Sequence, residues 1–236
     1  MDLKNAVALI TGGSSGIGRA IAQSLRESGA RVAITARDKR RLDATASELG
    51  VHAIQADVTV EANVQRTMRE VLQKFGDLDI LVNNAGIGVF KPLVDFDRQS
   101  FDSVFATNVT GAMMMAREAA KHFIHRKRGN IVNISSTAGL RGAASGTAYY
   151  ASKFALRGMT ECWRAELRKH NIRVFLVNPS EVITNFYEVS GFGQQNKANP
   201  TKLRAEEIAY VVKGILEMDD RGFTPELSVF ATNPQD

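Results

Sequence analysis

The chain has 236 residues, of which 44% are hydrophobic and 23% are charged, and this length and composition suit a protein with one large hydrophobic core. They exclude a disordered or collagen-like chain, and the single cysteine, Cys162, excludes a small disulfide scaffold. The 30 Lys and Arg residues exceed the 25 Asp and Glu residues by a net charge of +5, which favours a small anionic ligand over a nucleic-acid partner.

The beginning of the chain predicts a cellular location. Residue 2 is a charged Asp2, and the apolar run that follows at 6–11 is short. A signal peptide or a membrane span needs a longer apolar stretch. We therefore expect a cytoplasmic protein without a membrane partner.

Short apolar runs rich in β-branched residues recur at 6–11, 31–35, 78–82, 130–135 and 172–177. They lack alternation, so they predict strands buried on both faces, as in a parallel sheet. Apolar residues at helical spacing predict helices at 16–28, 39–49, 61–75, 149–169 and 205–217, and a long helix from Phe101. The alternation predicts a doubly wound (Rossmann) α/β fold, with a mostly parallel sheet of about seven strands flanked by helices and residues 1–236 in a single domain.

A glycine-rich turn follows the first predicted strand. Gly12, Gly16 and Gly18 have the spacing G-x-x-x-G-x-G and stand directly before a predicted helix. Glycines at such a turn let a pyrophosphate approach the backbone amides at the positive end of the helix. Because the usual dinucleotide spacing is G-x-G-x-x-G, a purely structural turn is the alternative.

The pattern Thr-Gly-x-x-x-Gly-Ile-Gly at this turn resembles the short-chain dehydrogenase/reductase family. The resemblance covers most of the chain and includes 3-oxoacyl carrier-protein reductases, although the C-terminal residues lack the Gly-Gly ending of those relatives. It implies a nicotinamide dinucleotide cofactor at the turn. The contact residues that it implies here are Gly12, Ser14, Ser15, Gly16, Ile17 and Gly18.

The end of the second predicted strand bears on the choice between NAD and NADP. An NAD site has a carboxylate about 20 residues beyond the glycines, and by the resemblance this acid would fall at Ala36. The next residue is Arg37, where NADP-preferring relatives carry an arginine for the 2′-phosphate. Asp38 is the rival carboxylate, but it also fits an N-cap. The basic run 39–41 opens a helix, where the macrodipole disfavours cations, so we expect NADP(H), with a solvated basic turn as the alternative.

Later turns match further family positions, and by the resemblance their residues also contact the cofactor. These residues are Asp57 and Val58 near the adenine, Asn84, Ala85 and Gly86 beneath the ribose, and Pro179, Val182 and Thr184 near the carboxamide. Ordinary turn chemistry is the alternative for the Asp, Asn and Gly residues. The chain departs from the family at Ser180, where relatives carry glycine, so this loop needs a backbone angle that a side chain tolerates.

Tyr149 and Lys153 stand four residues apart on one face of a predicted helix. A phenol with a pKa of about 10 is a poor acid at neutral pH, and a nearby ammonium favours the phenolate. The pair is therefore a candidate proton-transfer unit, with a surface helix pair as the alternative. Tyr150 has no such partner, because Phe154 is uncharged.

Two further polar residues accompany this pair. Ser136 stands 13 residues before Tyr149 at the end of a predicted strand, and its hydroxyl can donate to a developing alkoxide. Asn108 interrupts the apolar face of the long helix, where a buried amide needs a partner. A bond from this amide to a strand carbonyl is the alternative. By the resemblance, Asn108, Ser136, Tyr149 and Lys153 form a catalytic tetrad.

The resemblance implies an oxidoreductase that transfers a hydride between NADP(H) and the carbonyl or secondary alcohol of a small molecule. Tyr149 supplies the proton, Ser136 polarises the oxygen, and Lys153 lowers the pKa of the phenol and binds the nicotinamide ribose. A regulatory module that senses NADP without chemistry is the alternative, although a sensor needs no proton donor. The only G-x-S-x-G match, at residues 12–16, lies inside the glycine-rich turn, and the four histidines fall at predicted strand starts or helix ends, so the sequence does not indicate a hydrolase. It has no H-x-x-x-H for a metal, and the basic run 125–128 fits a helix end better than a nucleic-acid site.

Residues 184–204 combine Gly, Asn and Pro without a sustained period and predict a lid loop over the substrate, with a passive surface loop as the alternative. The loop offers Phe186, Tyr187 and Phe192 but few charges, which favours an uncharged or partly apolar carbonyl compound over a dicarboxylate. Arg141 favours the alternative of an anionic substrate, because it lies between Ser136 and Tyr149 and could bind an anionic group.

The helix at 149–169 carries small residues at helical spacing, namely Ala151, Ala155, Gly158, Cys162 and Ala165. Such a face lets another helix approach closely. By the resemblance, this helix and the one from Phe101 pair across a two-fold axis, which implies a homodimer or a homotetramer. Packing of the small face on its own sheet is the alternative.

Overall fold

The structure is a computed structural model that describes residues 1–186, 190 and 199–233. Its strands are β1 (Val7–Thr11), β2 (Arg31–Ala36), β3 (His52–Gln55), β4 (Ile80–Asn83), β5 (Gly129–Ile134), β6 (Ile172–Pro179), β7 (Val182–Ile183), β8 (Leu203–Arg204) and β9 (Glu226–Val229). Its α-helices are α1 (Gly16–Glu27), α2 (Lys39–Leu49), α3 (Glu61–Phe75), α4 (Arg98–Phe105), α5 (Ala112–Arg126), α6 (Thr147–Leu167) and α7 (Ala205–Glu217).

Seven strands form one sheet in the order β3-β2-β1-β4-β5-β6-β9, and each neighbouring pair is parallel. The prediction of a doubly wound α/β domain is confirmed. The strand order reverses between β1 and β4, where parallel α/β sheets open a crevice beyond the carboxyl ends of their strands. The sheet therefore has a ligand-binding edge next to the glycine-rich turn.

Helices cover both faces of the sheet, which explains why the strands lack alternation. One buried cluster joins the sheet to α1, α2 and α7 through side chains such as Leu25, Leu42 and Val212. The other joins it to α3 and α5 through side chains such as Val71 and Phe123. The burial of each central strand on both sides accounts for its uninterrupted apolar sequence.

The long helix predicted from Phe101 is present but is not regular. It begins at Arg98 as α4, changes to π-helical geometry over Ala106–Gly111, and continues as α5. Gly111 ends the π-helical segment, and a Cβ added there would lie 2.8 Å from Val58 Cγ2. π-Helical turns inside α-helices occur often at functional sites, and this one contains Asn108.

Within the described ranges, no helix is both long enough and apolar enough to cross a bilayer.

Gly129 at the start of β5 is expected to tolerate no side chain. A Cβ at this position would lie 2.2 Å from Cγ of Phe123, a fully buried ring. Gly129→Ala should therefore lower the free energy of unfolding by about 1–3 kcal/mol through overpacking, as measured by urea denaturation.

Gly214 provides the control for this measurement. It is an exposed residue inside α7 with nothing within 4 Å of an added Cβ. Gly214→Ala should stabilise the protein by roughly 0.5–1 kcal/mol, because alanine favours a helix interior over glycine. Two substitutions that change stability in the same direction would contradict this account.

Candidate active site

A cleft of about 1130 Å³ lies beyond the carboxyl ends of the strands. It brings together most of the residues predicted as site residues from the sequence. Those that line it are Gly12, Ser14, Ser15, Gly16, Ile17, Arg37, Asp57, Val58, Asn84, Ala85, Gly86, Ser136, Tyr149, Lys153, Pro179, Val182 and Thr184. Gly18 and Asn108 lie behind this lining and act on it through their contacts.

The glycine-rich turn leaves room for a ligand at the N-terminus of α1. Gly12 has a φ of +65°, which favours glycine, and a Cβ on Gly18 would lie 2.4 Å from Asn84 Nδ2. Ser15 is the N-cap of α1, but its side chain makes no capping hydrogen bond, and the first turn carries no acidic residue. The positive end of the helix therefore faces the cleft without a local anion and suits a phosphate.

Thr11 joins the turn after β1 to the turn after β4. Its place in the glycine motif is the one sequence signal for this role. Its hydroxyl donates to Val82 O and accepts from the backbone N–H groups of Asn84 and Ala85, both at 3.0 Å. Asn84 Nδ2 donates in turn to Thr11 O and to Gly12 O. These bonds fix the two loops on either side of the point where the strand order reverses.

The end of β2 presents basic side chains to the cleft. Arg37 is exposed and lines the cleft, and its guanidinium has no hydrogen bond or ion pair to another described residue. Asp38 is the N-cap of α2, where Oδ1 accepts from the N–H of Arg41 at 3.0 Å. Arg41 also lines the cleft and is a cation that the prediction did not place in the site. The geometry favours an N-cap role for Asp38 and leaves Arg37 for a ligand.

Asp57 lies at the adenine end of the predicted site, and one of its carboxylate oxygens accepts hydrogen bonds within its own turn. Its Oδ1 accepts from the N–H and from the hydroxyl of Thr59, at 2.9 and 2.8 Å. Val58 beside it packs against the π-helical segment at Gly111. This turn therefore holds one wall of the cleft against the irregular part of the long helix.

Lys153 lies beneath Tyr149 on α6, as their four-residue spacing predicted. Lys153 Nζ is 5.6 Å from the centroid of the Tyr149 ring and donates to Ile134 O at 3.1 Å. The lysine is only 6% exposed, and burial lowers its pKa to about 8. A buried cation beside a phenol that lines the cleft is an arrangement suited to proton transfer.

Ser136 ends the loop after β5 and faces the same cleft. Its Oγ accepts from the N–H of Ala138 at 3.1 Å, which orients the side chain. Because this bond uses a lone pair, the hydroxyl proton stays available for an oxygen placed in the cleft.

Asn108 is buried behind the cleft, and all of its polar groups are used. Its Oδ1 accepts from the N–H of Ile87 at 2.9 Å, and its Nδ2 donates to Ile87 O at 2.9 Å and to Ser152 Oγ at 3.0 Å. Ser152 donates in turn to Tyr149 O at 2.7 Å. The sequence did not single out Ser152, which connects Asn108 to α6, although its place next to Lys153 was a possible signal.

The loop after β6 accommodates the departure from the family pattern at Ser180. This residue is not among those with a left-handed backbone, and its N–H donates to Val229 O at 2.8 Å. Thr184 follows β7 and approaches the glycine-rich turn, with its Cγ2 3.3 Å from the position of a Cβ on Gly16. The substitution of serine for glycine at residue 180 thus causes no strain.

The predicted lid loop, residues 184–204, is described only in part. Tyr187 and Phe192 lie outside the described residues, which omit 187–189 and 191–198. Phe186 and Lys202 line the cleft, as do Arg141 of the loop after β5 and Phe90, an aromatic residue that the sequence analysis missed. The predicted lid loop and the loop that carries Arg141 therefore both reach the cleft.

In the described part of the chain, no group of three or more His, Cys, Asp or Glu residues has the arrangement of a metal site.

Comparison with known proteins identifies the same family as the motifs do. Residues 6–191 match the family described as short chain dehydrogenase. A sorbitol dehydrogenase of Cereibacter sphaeroides is 40% identical over 185 residues, which cover 77% of this chain and 72% of the relative. A (+)-borneol dehydrogenase 2 of Salvia officinalis is 40% identical over 191 residues, which cover 78% of this chain and 68% of the relative.

A solved structure is similar over the full length of the chain. It is an alcohol dehydrogenase from the archaeon Thermococcus sibiricus complexed with 5-hydroxy-NADP. It has a TM-score of 0.89 and 29% sequence identity, and the match covers 99% of this chain and 100% of the other.

The burial of Lys153 predicts a pH dependence of stability. Burial lowers its pKa from 10.5 to about 8, so between these values the unfolded chain binds more protons than the folded protein. The contribution of Lys153 to the free energy of unfolding must therefore rise with pH across that window, and it must fall as the pH is lowered towards about 8.

We expect the difference in unfolding free energy between wild type and Lys153→Met to rise by about 1–3 kcal/mol from pH 8 to 10.5. Denaturant titrations of the protein without added ligand measure it. The exposed Lys169 gives the control variant Lys169→Met, for which the difference should stay flat. A flat difference for Lys153→Met as well would contradict a buried ammonium.

Proposed function

The chain belongs to the short-chain dehydrogenase/reductase family of oxidoreductases, and on that premise we propose that it is an NADP(H)-dependent reductase of carbonyl compounds. The observation that carries the proposal is the Lys153 ammonium, buried beneath a Tyr149 that lines the cleft. The reverse reaction is the oxidation of a secondary alcohol by the same residues.

The residues around the glycine-rich turn fit a nicotinamide dinucleotide. The uncapped N-terminus of α1 would bind the pyrophosphate, and the close approach of Gly18 to Asn84 keeps side-chain atoms out of the turn. Asp57 and Val58 would bind the adenine end, and Pro179, Val182 and Thr184 would bind the carboxamide end. The bound cofactor supplies the hydride of the reaction.

The proposed proton donor is the hydroxyl of Tyr149, which passes its proton to the substrate oxygen as the alcohol forms. The hydroxyl of Ser136 donates a hydrogen bond to that oxygen, where negative charge develops. Lys153 favours the phenolate through its positive charge and so lowers the pKa of the phenol. Positioned proton transfer of this kind contributes about 10² to 10⁴ in rate.

Asn108 completes the proposed tetrad from behind the cleft. Its side chain is bonded to Ile87 and Ser152, so it holds the loop after β4 and the helix α6 in register. The family resemblance assigns to this asparagine a water that links the lysine to solvent.

NADP(H) is proposed over NAD(H) because of charge. Arg37 and Arg41 both line the cleft at the end of β2, and an arginine forms paired, charge-assisted bonds with phosphate. The similar alcohol dehydrogenase from Thermococcus sibiricus was complexed with 5-hydroxy-NADP. The 2′-phosphate is therefore proposed to bind at Arg37.

The proposed substrate is an uncharged small molecule with a carbonyl or a secondary alcohol. The named activities of relatives concern alcohols such as sorbitol and borneol, which are uncharged. Residues 184–204 are proposed as a loop over this substrate, because Thr184, Phe186 and Lys202 already line the cleft.

We also propose assembly into a homodimer or homotetramer in the cytoplasm. The small residues of α6 do not pack on the sheet of their own chain, since Gly158, Cys162 and Ala165 are exposed. Phe154 on the same helix is 44% exposed. This face suits the close approach of a helix from a second copy.

A sensor of NADP without catalytic activity is the rival function. It is not favoured, because such a protein gains nothing from a buried ammonium beside a phenol in the cleft, and burying the charge costs free energy.

Replacing Tyr149 tests the reaction. Tyr149→Phe should lower kcat by at least about 100-fold, since the proton donor is lost, while NADPH binding measured by fluorescence is retained. Tyr150→Phe removes the neighbouring hydroxyl and is the matched control, expected to stay near the wild-type rate. Turnover by Tyr149→Phe at the wild-type rate would falsify the mechanism, and NADPH binding without turnover of any carbonyl compound by wild type would favour the sensor.

Replacing Arg37 tests the cofactor preference. Arg37→Asp should weaken NADPH binding by roughly 10- to 100-fold and NADH binding far less, because only NADPH loses charge-assisted bonds. Arg40→Asp makes the same change of charge three residues later, in the first turn of α2, at an exposed position that does not line the cleft. Titrations of both cofactors would contradict the assignment if Arg37→Asp weakened them equally.

A further inference from the structure

Two phenylalanine rings flank Tyr149 at the substrate end of the cleft. Phe90, on the loop after β4, has its ring centroid 5.4 Å from that of Tyr149. Phe186, which follows β7, has its centroid 5.3 Å from that of Tyr149. Both rings line the cleft, so two apolar rings lie next to the tyrosine that is proposed to donate the proton.

Gly88 forms the floor between these two rings. A Cβ on this glycine would lie 2.8 Å from Cε2 of Phe90 and 2.9 Å from Cζ of Phe186. Both rings thus rest directly on the same stretch of backbone. We call Phe90, Gly88 and Phe186 the aromatic wall.

A lysine and a glutamate that line the same cleft are paired with each other. Lys202 Nζ lies 2.9 Å from Glu181 Oε1, and the lysine side chain is only 13% exposed. Both residues line the cleft. A substrate carboxylate could reach Lys202 only by competing with the Glu181 carboxylate, and it would bring a second negative charge close to Glu181.

Arg141 also lines the cleft, and it is exposed. Because water and salt screen an exposed arginine, Arg141 should bind a singly charged carboxylate more weakly than a buried, fixed cation would. The two rings of the aromatic wall, in contrast, bind a ligand by burying its apolar surface and through the quadrupoles of their π systems. Both contributions favour a flat or compact apolar group.

We propose that the substrate is a ketone whose carbonyl carbon belongs to, or is directly bonded to, an uncharged ring. The ring lies against the aromatic wall when the carbonyl oxygen reaches Tyr149 and Ser136. NADPH is the reductant and the product is the secondary alcohol, so this inference rests on the proposed function and specifies its substrate class.

The wall separates this class from two others. An open-chain polyhydroxy ketone would lose water from several hydroxyl groups and find two hydrocarbon rings in its place. A 2-oxo acid carries a carboxylate that needs a fixed cation next to the carbonyl, and Lys202, a half-buried cation of the cleft lining, is already paired with Glu181.

Substrates matched in carbon number test the proposal. With NADPH, kcat/KM is measured for cyclohexanone against 2-hexanone and for acetophenone against 2-octanone, with fructose and a 2-oxo acid as polar probes. We expect each ring ketone to exceed its open-chain partner by about three- to tenfold, and the polar probes to be the poorest substrates.

Variants then assign the preference to the wall. Phe90→Leu and Phe186→Leu each keep an apolar side chain but remove a ring, and each should lower kcat/KM for the ring ketones by about three- to tenfold while changing the open-chain values much less. Phe75→Leu removes a ring at the end of α3, outside the cleft lining, and should change neither. Circular dichroism and NADPH fluorescence check that each variant is folded and binds cofactor.

The outcomes separate this inference from the proposed function. If wild type reduces 2-hexanone, fructose or the 2-oxo acid with a kcat/KM equal to that for the ring ketones, the proposed function stands and the aromatic wall does not select substrate. If the ring preference survives in both leucine variants, the wall is likewise overturned. If wild type reduces no carbonyl compound with NADPH, the proposed function fails and this inference fails with it.

Discussion

Burial of the Lys153 ammonium is the constraint on which the arrangement of the site depends. A cation out of contact with water is costly unless a polar group accepts from it, and Ile134 O at the end of β5 provides that acceptor. The bond ties the first turns of α6 to the carboxyl edge of the sheet. Tyr149, one helical turn earlier, is therefore held over the cleft, and the same burial that lowers the pKa of the lysine places its charge beneath the phenol.

A second buried polar group, Asn108, links this helix to the other side of the cleft. Its amide satisfies both backbone groups of Ile87 and reaches Ser152 on α6, so three chain segments meet at one side chain. The helix that carries Asn108 is π-helical at this point, and the contact of Gly111 with Val58 presses the irregular turn against the end of the cleft. The irregular turn thus lies where the helix supplies a buried polar side chain, Asn108, to the site.

Charge is distributed unequally between the half of the cleft beside the glycine-rich turn and the half around Tyr149. In the first half, the first turn of α1 carries no acidic residue of its own, and Arg37 adds an exposed guanidinium. At the other half, Glu181 and Lys202 compensate each other, and aromatic rings surround Tyr149. An anion is therefore attracted to one half, and an uncharged apolar group fits the other.

The sequence by itself determined the fold class, because apolar runs without alternation require a sheet covered on both faces, and it determined that Tyr149 and Lys153 share a helix face. Its motifs, by family resemblance, also indicated the cleft residues from Gly12 to Thr184. Only the tertiary structure decided how Asn108 is satisfied, since its partners lie 21 and 44 residues away along the chain. It likewise brought Phe90 beside Tyr149 and assigned Asp38 to a helix cap. Local spacing fixes the face on which a side chain lies, but the contacts between faces are set by how distant segments pack together.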